Sequence, residues 1–194
     1  MLNNVQAFLD DFKDYVIQQA KSNLTRMKKN SSKTLYNSLK GYVKESKNSI
    51  QISFEMDEYG FYQDLGVKGK NPSKVSKNAK IKGQQAPNSP YKFGSGKSKG
   101  TFKQFASSIA KWAQRKNLRL RDEKGRYTKG NYKTIGYIVA GNIYNRGLKP
   151  SLFFTKPFEK YYKRLPKELT EKYALDMVNL FNTITDENFK RLAK

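Results

Sequence analysis

The sequence predicts an α+β fold with a long N-terminal helix, a small antiparallel sheet, a helical C-terminal half and a long basic loop. Three patterns carry this prediction. Leu2, Val5, Phe8, Leu9, Phe12, Val16 and Ala20 recur at steps of three and four, which gives an amphipathic helix over 2–27. Ile50, Ile52, Phe54 and Met56 alternate with Gln51, Ser53 and Glu55, the period of a half-buried strand. Leu169, Tyr173, Met177, Leu180 and Ile184 form a second helical stripe near the C-terminus.

In the first helix the acidic residues sit early and Lys21, Arg26 and Lys28 late, which suits the helix dipole. Ser32 is placed to cap a short second helix carrying Leu35, Leu39 and Val43. A turn at Asp57–Glu58 leads to the aromatic segment 59–66. Residues 67–100 are polar and hold three of the six prolines, so they read as a flexible loop. This stretch is expected to be extended, to lie against another chain or against DNA, and to add little to the subunit's core. A helical pattern resumes at Thr101 with Phe102, Phe105, Ile109 and Trp112 on one face, and Arg121–Arg126 reads as an exposed turn. Ile135, Ile138, Val139 and Ile143 mark a further helix that ends at Gly147 and Pro150. Breaks or kinks are expected at Pro157 and Pro166. The length of 194 residues fits one domain spanning 1–194, with the basic excursion at 67–100.

Composition narrows the chemistry. The chain has no Cys and no His, which removes thiol nucleophiles, disulfides, zinc fingers and the commonest general base at neutral pH. A P-loop look-alike, Gly94-Ser95-Gly96-Lys97-Ser98, has Tyr91 where the first glycine belongs and no hydrophobic strand before it. Glu55, Asp57, Glu58 and Asp64, with Lys68 beyond, match no metal-dependent nuclease signature. The expectation is therefore a non-enzyme without cofactor or metal. Asp10, Asp11 and Asp14 are unlike a signal peptide, and the apolar run Ile135–Ile143 is too short to cross a bilayer, so no membrane role is expected.

The net charge is +23, and it is segregated. Residues 68–133 hold 19 Lys/Arg against 2 Asp/Glu, a net of +17, while the other 128 residues hold 20 against 14, a net of +6. Lys68, Lys70, Lys74, Lys77, Lys80, Lys82, Lys92, Lys97 and Lys99 lie in the loop, and Lys111, Arg115, Lys116, Arg119, Arg121, Lys124 and Arg126 follow. Tyr91, Phe93 and Tyr127 are interleaved. This pattern suits phosphate contacts that are independent of base sequence and sensitive to salt, or an acidic protein partner.

Three stretches carry a resemblance. They are Tyr59-Gly60-Phe61-Tyr62-Gln63-Asp64-Leu65-Gly66-Val67-Lys68-Gly69, Leu120-Arg121-Asp122-Glu123-Lys124-Gly125-Arg126-Tyr127, and the run from Ile143 through Pro150 to Phe158. Together they resemble the neck, or tail-completion, proteins of tailed bacteriophages, the head–tail connector family. The resemblance implies an N-terminal helix, a small sheet and further helices. It also implies a homo-oligomeric ring between portal and tail, with the portal and other connector or tail proteins as partners and double-stranded DNA close by. The implied location is the virion head–tail junction, reached by assembly in the host cytoplasm. Tyr62, Gly66, Gly69, Pro157 and Phe158 are the motif residues, with structural roles: the glycines permit tight turns, and Pro157 starts a helix at its first position beside Phe153, Phe154 and Phe158. The alternative from a different class is a sequence-independent nucleic-acid-binding protein of ribosomal or nucleoid type.

Overall fold

Helix α1 (Asn3–Arg26) buries Val5, Phe8, Leu9, Phe12, Val16, Ala20 and Leu24, the stripe its spacing predicts. The computed structural model describes residues 3–46, 49–75, 77, 79–96, 100–122, 124–128 and 130–192, with side chains through 186. Leu2, the first residue of the expected stripe, lies outside the described residues. After α1 come α2 (Thr34–Ser38), β1 (Lys40–Ser46), β2 (Ser49–Glu55), α3 (Glu58–Leu65) and β3 (Val67–Lys68). Then follow α4 (Phe102–Arg115), α5 (Tyr132–Arg146), β4 (Gly147–Leu148), α6 (Thr155–Tyr162) and α7 (Leu165–Leu192). The fold is α+β as expected, with two small antiparallel sheets in place of one. The chain divides into two compact units. Unit 1 comprises Met1–Met27, Tyr36–Met56 and Phe153–Lys194, and unit 2 comprises Lys28–Leu35 and Asp57–Leu152.

Unit 1 has an aromatic core. The ring of Phe12, 1% exposed, meets Phe54 of β2 at 6.3 Å and Phe158 and Tyr161 of α6 at 5.8 and 5.4 Å. Phe54 also meets Phe154 and Phe158, at 5.3 and 5.9 Å. Edge-on pairs of this kind add about 0.5–1.5 kcal/mol each beyond the area they bury. Val43, Ile50, Ile52, Leu165 and Leu169 close the core over Val5, Phe8 and Leu9. Spacing places Val43 on a helix with Leu35 and Leu39; instead α2 ends at Ser38 and Val43 stands in β1 opposite Ile52. Helical spacing yields there because Gly41 is a poor helix residue and a lone β2 would leave its ladder unpaired. Gly41, opposite Phe54, also lets the strand pass against Lys13 and Ile17 of α1.

Pro157 is not at the expected first position of its helix; it is the third residue of α6. The position still lies in the first turn, where no N–H is needed, and Pro157 and Phe153 are buried there. The start of α1 is capped from far along the chain. Asp176 of α7 accepts from the Asn4 and Val5 backbone N–H groups, each at 3.0 Å, and from the Asn4 side-chain amide at 2.8 Å. Burial pushes the Asp176 carboxyl up, but these three donors outweigh it and hold the pKa below the usual carboxylate range.

Unit 2 is built differently. Helices α4 and α5 pack through small residues: Ala106, Ala113 and Ala140 are buried, and a Cβ at Gly136 would meet the Ala106 carbonyl at 2.5 Å. Thr101 and Gln104 form a reciprocal capping box on α4, and the Asn131 side chain caps α5. β3 and β4 pair Val67 with Leu148 and Lys68 with Gly147, so the chain between leaves and returns at one point. Ser151 and Leu152 N–H groups donate to the Gln63 and Asp64 carbonyls, which ties the exit of unit 2 to its entry.

The described residues of 67–100 are tied to their own unit, where the sequence predicts an extended loop that adds little to the core. The Lys68 N–H donates to the Tyr91 carbonyl at 2.8 Å, and the Phe93 N–H donates to the Lys68 carbonyl at 2.9 Å. The Gly69 N–H donates to the Gln84 side chain at 2.6 Å, Lys70 N–H to the Tyr144 carbonyl at 2.9 Å, and Gln85 N–H to the Arg146 carbonyl at 2.8 Å. Ala86 and Ser89 are buried, and the Ser89 hydroxyl donates to the Gly66 carbonyl. Composition alone missed this because the anchors are mostly backbone groups, which any sequence carries.

The two motif glycines answer to different demands. Gly66 has φ +73°, where a side chain is strained, and a Cβ there would stand 2.5 Å from the Leu148 carbonyl. Gly69 needs space: a Cβ there would collide with the Asn145 carbonyl, backbone that has no rotamer to escape into.

Gly69→Ala should therefore destabilise by roughly 3 kcal/mol, the upper range for overpacking against rigid backbone, read as a lower urea midpoint with unchanged slope. Asp176→Ala should lower the thermal midpoint at neutral pH. Because the folded pKa of Asp176 is depressed, its contribution is present above the unfolded value of about 3.9 and is lost as pH falls through the lower folded value. The gap between wild type and variant should close on acidification; a gap independent of pH would show that the charge is irrelevant.

Candidate polyanion-binding surface

The two units divide the charge sharply. Unit 2 carries 24 Lys/Arg and 5 Asp/Glu, a net of +19, and unit 1 carries 15 and 11, a net of +4. The candidate residues Lys68 to Arg126 all belong to unit 2.

Lys74, Lys77, Lys80, Lys82 and Lys92 are exposed, and among the described residues none has a carboxylate at ion-pair distance. Lys74 ends a short 3-10 turn, Pro72–Lys74. Lys68 is half-buried, bridged to Lys92 on one side and Gly147 on the other. Lys70 lies 5.8 Å from the Tyr144 ring centroid, so part of its role is to cover that ring. Lys97 and Lys99 lie outside the described residues.

Arg115 and Lys116 are exposed at the end of α4, where cations suit the helix dipole, and Arg115 donates to the Ser31 hydroxyl at 3.0 Å. Arg119, Arg121 and Arg126 sit on a small hairpin closed by the Arg121–Tyr127 bridge. Arg126 is paired with Asp122 at 3.1 Å.

The interleaved aromatics separate into two kinds. Tyr91 stands edge-on to the half-buried Tyr62 at 4.7 Å, and Phe93 lies 5.7 Å from Phe105 and 5.5 Å from Tyr144. These rings hold the loop to its own unit and are not free platforms for a ligand. Tyr127, 61% exposed, is the one of the three that faces solvent.

Sequence reasoning left Lys103 and Lys133 out of the set. With Lys111 they line a cleft of about 300 Å³ between α4 and α5, beside Ser107, Gln114, Tyr132 and Tyr137. The spacing of Lys103 and Lys111, two helical turns apart, puts them on one face; Lys133 joins only through the helix pairing. Among the described residues there is no cluster of three or more Asp, Glu, His or Cys that could hold a metal, and no helix is long and apolar enough to cross a membrane. No protein-family model, curated protein or solved structure matches this chain.

Proposed function

We propose that the protein is a structural assembly subunit that joins neighbouring protein rings through unit 1 and faces double-stranded DNA with unit 2. The role that fits this division is a neck or connector subunit of a phage head–tail junction, bordering the DNA channel between portal and tail. The observation that carries the reading is the segregation of charge. A single-purpose nucleic-acid binder needs only the basic surface, whereas this chain has a second, nearly neutral unit with a large apolar face.

That face is on α7. Tyr173, Met177, Leu180, Phe181 and Ile184 are exposed along one side, Phe181 by 70%. From Tyr173 to Thr185 the only charged residue is Asp176, which is buried on α1. A contiguous apolar stripe of this kind marks a protein interface. The occupant proposed is a second copy of the chain. Copies of a +23 chain repel through unit 2, so they meet with least repulsion on unit 1, where this stripe carries no Lys or Arg. A subunit that matches a cyclic portal closes into a ring by head-to-tail contacts.

Two measurements test the reading. Leu180→Glu with Phe181→Glu should reduce the particle mass in light scattering to that of a monomer while leaving the circular dichroism unchanged, since both side chains are exposed. A wild type that is monomeric at high concentration and still binds DNA tightly would favour the nucleoid-type alternative. Substituting Lys74, Lys77, Lys80 and Lys82 by Glu changes the charge by −8 and touches no buried side chain. Each exposed change should alter stability by about 0.5 kcal/mol or less, while duplex binding and incorporation into particles collapse. Normal incorporation into stable, filled particles would sink the role given to the basic segment.

A further inference from the structure

Resting on the reading of unit 2 as the DNA-facing part, we propose that the Arg119–Arg121–Tyr127 hairpin is a pre-ordered phosphate clasp for the duplex backbone. Tyr127 holds the guanidinium groups.

Arg121 is restrained three times. Its Nη1 donates to the Gly125 carbonyl at 2.9 Å, its Nη2 donates to the Tyr127 hydroxyl at 2.7 Å, and its guanidinium lies 4.3 Å from the Tyr127 ring centroid. Arg119 lies 5.6 Å from the same centroid. The hairpin beneath is itself braced: Asp122 N–H donates to the Arg126 carbonyl at 2.9 Å, Thr128 N–H to the Leu120 carbonyl at 3.0 Å, and Asp122 neutralises Arg126.

The arrangement is unfavourable for the isolated chain in one respect. Two like charges converge on one exposed ring, and among the described residues neither has a carboxylate at ion-pair distance. An anion placed between them turns that repulsion into two charge-assisted contacts. The flat fork of a guanidinium matches a phosphate bidentately, and arginine gives up its water more readily than lysine. Long side chains normally lose rotamer freedom when they bind; restraint by the ring removes much of that cost beforehand. Arg121 already lies against the ring at 4.3 Å, which leaves Tyr127 less free as a platform for an unstacked base. The clasp therefore suits a phosphate backbone better than an unstacked base.

The test is binding of the full chain to a short random-sequence duplex, followed by fluorescence anisotropy across a salt series. Removing one phosphate contact should flatten the log–log salt slope by about 0.9. Arg119→Gln with Arg121→Gln should flatten it by about 1.8, and Arg119→Gln alone by half that. The single variant guards against misfolding, because Arg119 makes no side-chain hydrogen bond among those described for the hairpin. Tyr127→Ala should weaken binding about threefold with the slope kept, because the charges remain and only their ordering is removed; Tyr127→Phe should recover part of the affinity. An unchanged slope in the arginine variants, with the Lys74, Lys77, Lys80 and Lys82 variant still impaired, would overturn the clasp and leave the function of unit 2 standing. A wild type that binds polyglutamate-like acidic peptide but not duplex would overturn both.

Discussion

Two residue pairs set the topology of this chain: Val67 opposite Leu148, and Lys68 opposite Gly147. A ladder that short is weak by itself. It holds because backbone approaches backbone more closely there than any side chain permits, with Gly69 against the Asn145 carbonyl and Gly66 against the Leu148 carbonyl. Closing the loop at its base lets residues 69–146 make their own helix pair, and lets the two ends of the chain combine in unit 1. The entropy of closing so long a loop is logarithmic in length, so a few well-made contacts at the neck suffice.

The two units solve the stability problem with different materials. Unit 1 uses large rings, with Phe12, Phe54, Phe154, Phe158 and Tyr161 meeting at 5.3–6.3 Å. Unit 2 carries a net +19 and joins its helix pair through alanines and a glycine, with backbone hydrogen bonds and rings such as Tyr91 and Phe93 holding the loop to it. Close helix packing through small residues leaves the long lysine and arginine side chains outside, in water, where their mutual repulsion is screened. Stability and charge are thereby kept apart.

Much of the fold was legible because it is periodic. The stripe of α1 and the alternation of β2 follow from local spacing. Periodicity misleads where a distant partner decides. Leu35, Leu39 and Val43 keep helical spacing, yet Val43 is in a strand because Ile52 needs a partner across the sheet. The C-terminal stripe predicted a helix correctly, but Leu180 and Ile184 are exposed on it, since a stripe records apolarity and not what covers it.

The candidate site divides along the same line. The amino-acid sequence by itself determined the charge, its confinement to the middle of the chain, and the absence of cysteine and histidine, because these are sums over residues and need no coordinates. Tertiary structure alone decided which of those charges are available. Asp122 neutralises Arg126, Tyr144 takes up Lys70, and Lys133 joins Lys103 and Lys111 across a helix pair. It also decided that Tyr91 and Phe93 are anchors while Tyr127 is exposed, and that Asp176 caps a helix 171 residues away. The reason is range. A side chain's charge and apolarity are its own, but its partner is whichever group the fold brings within a few ångströms, and sequence separation carries no record of that distance.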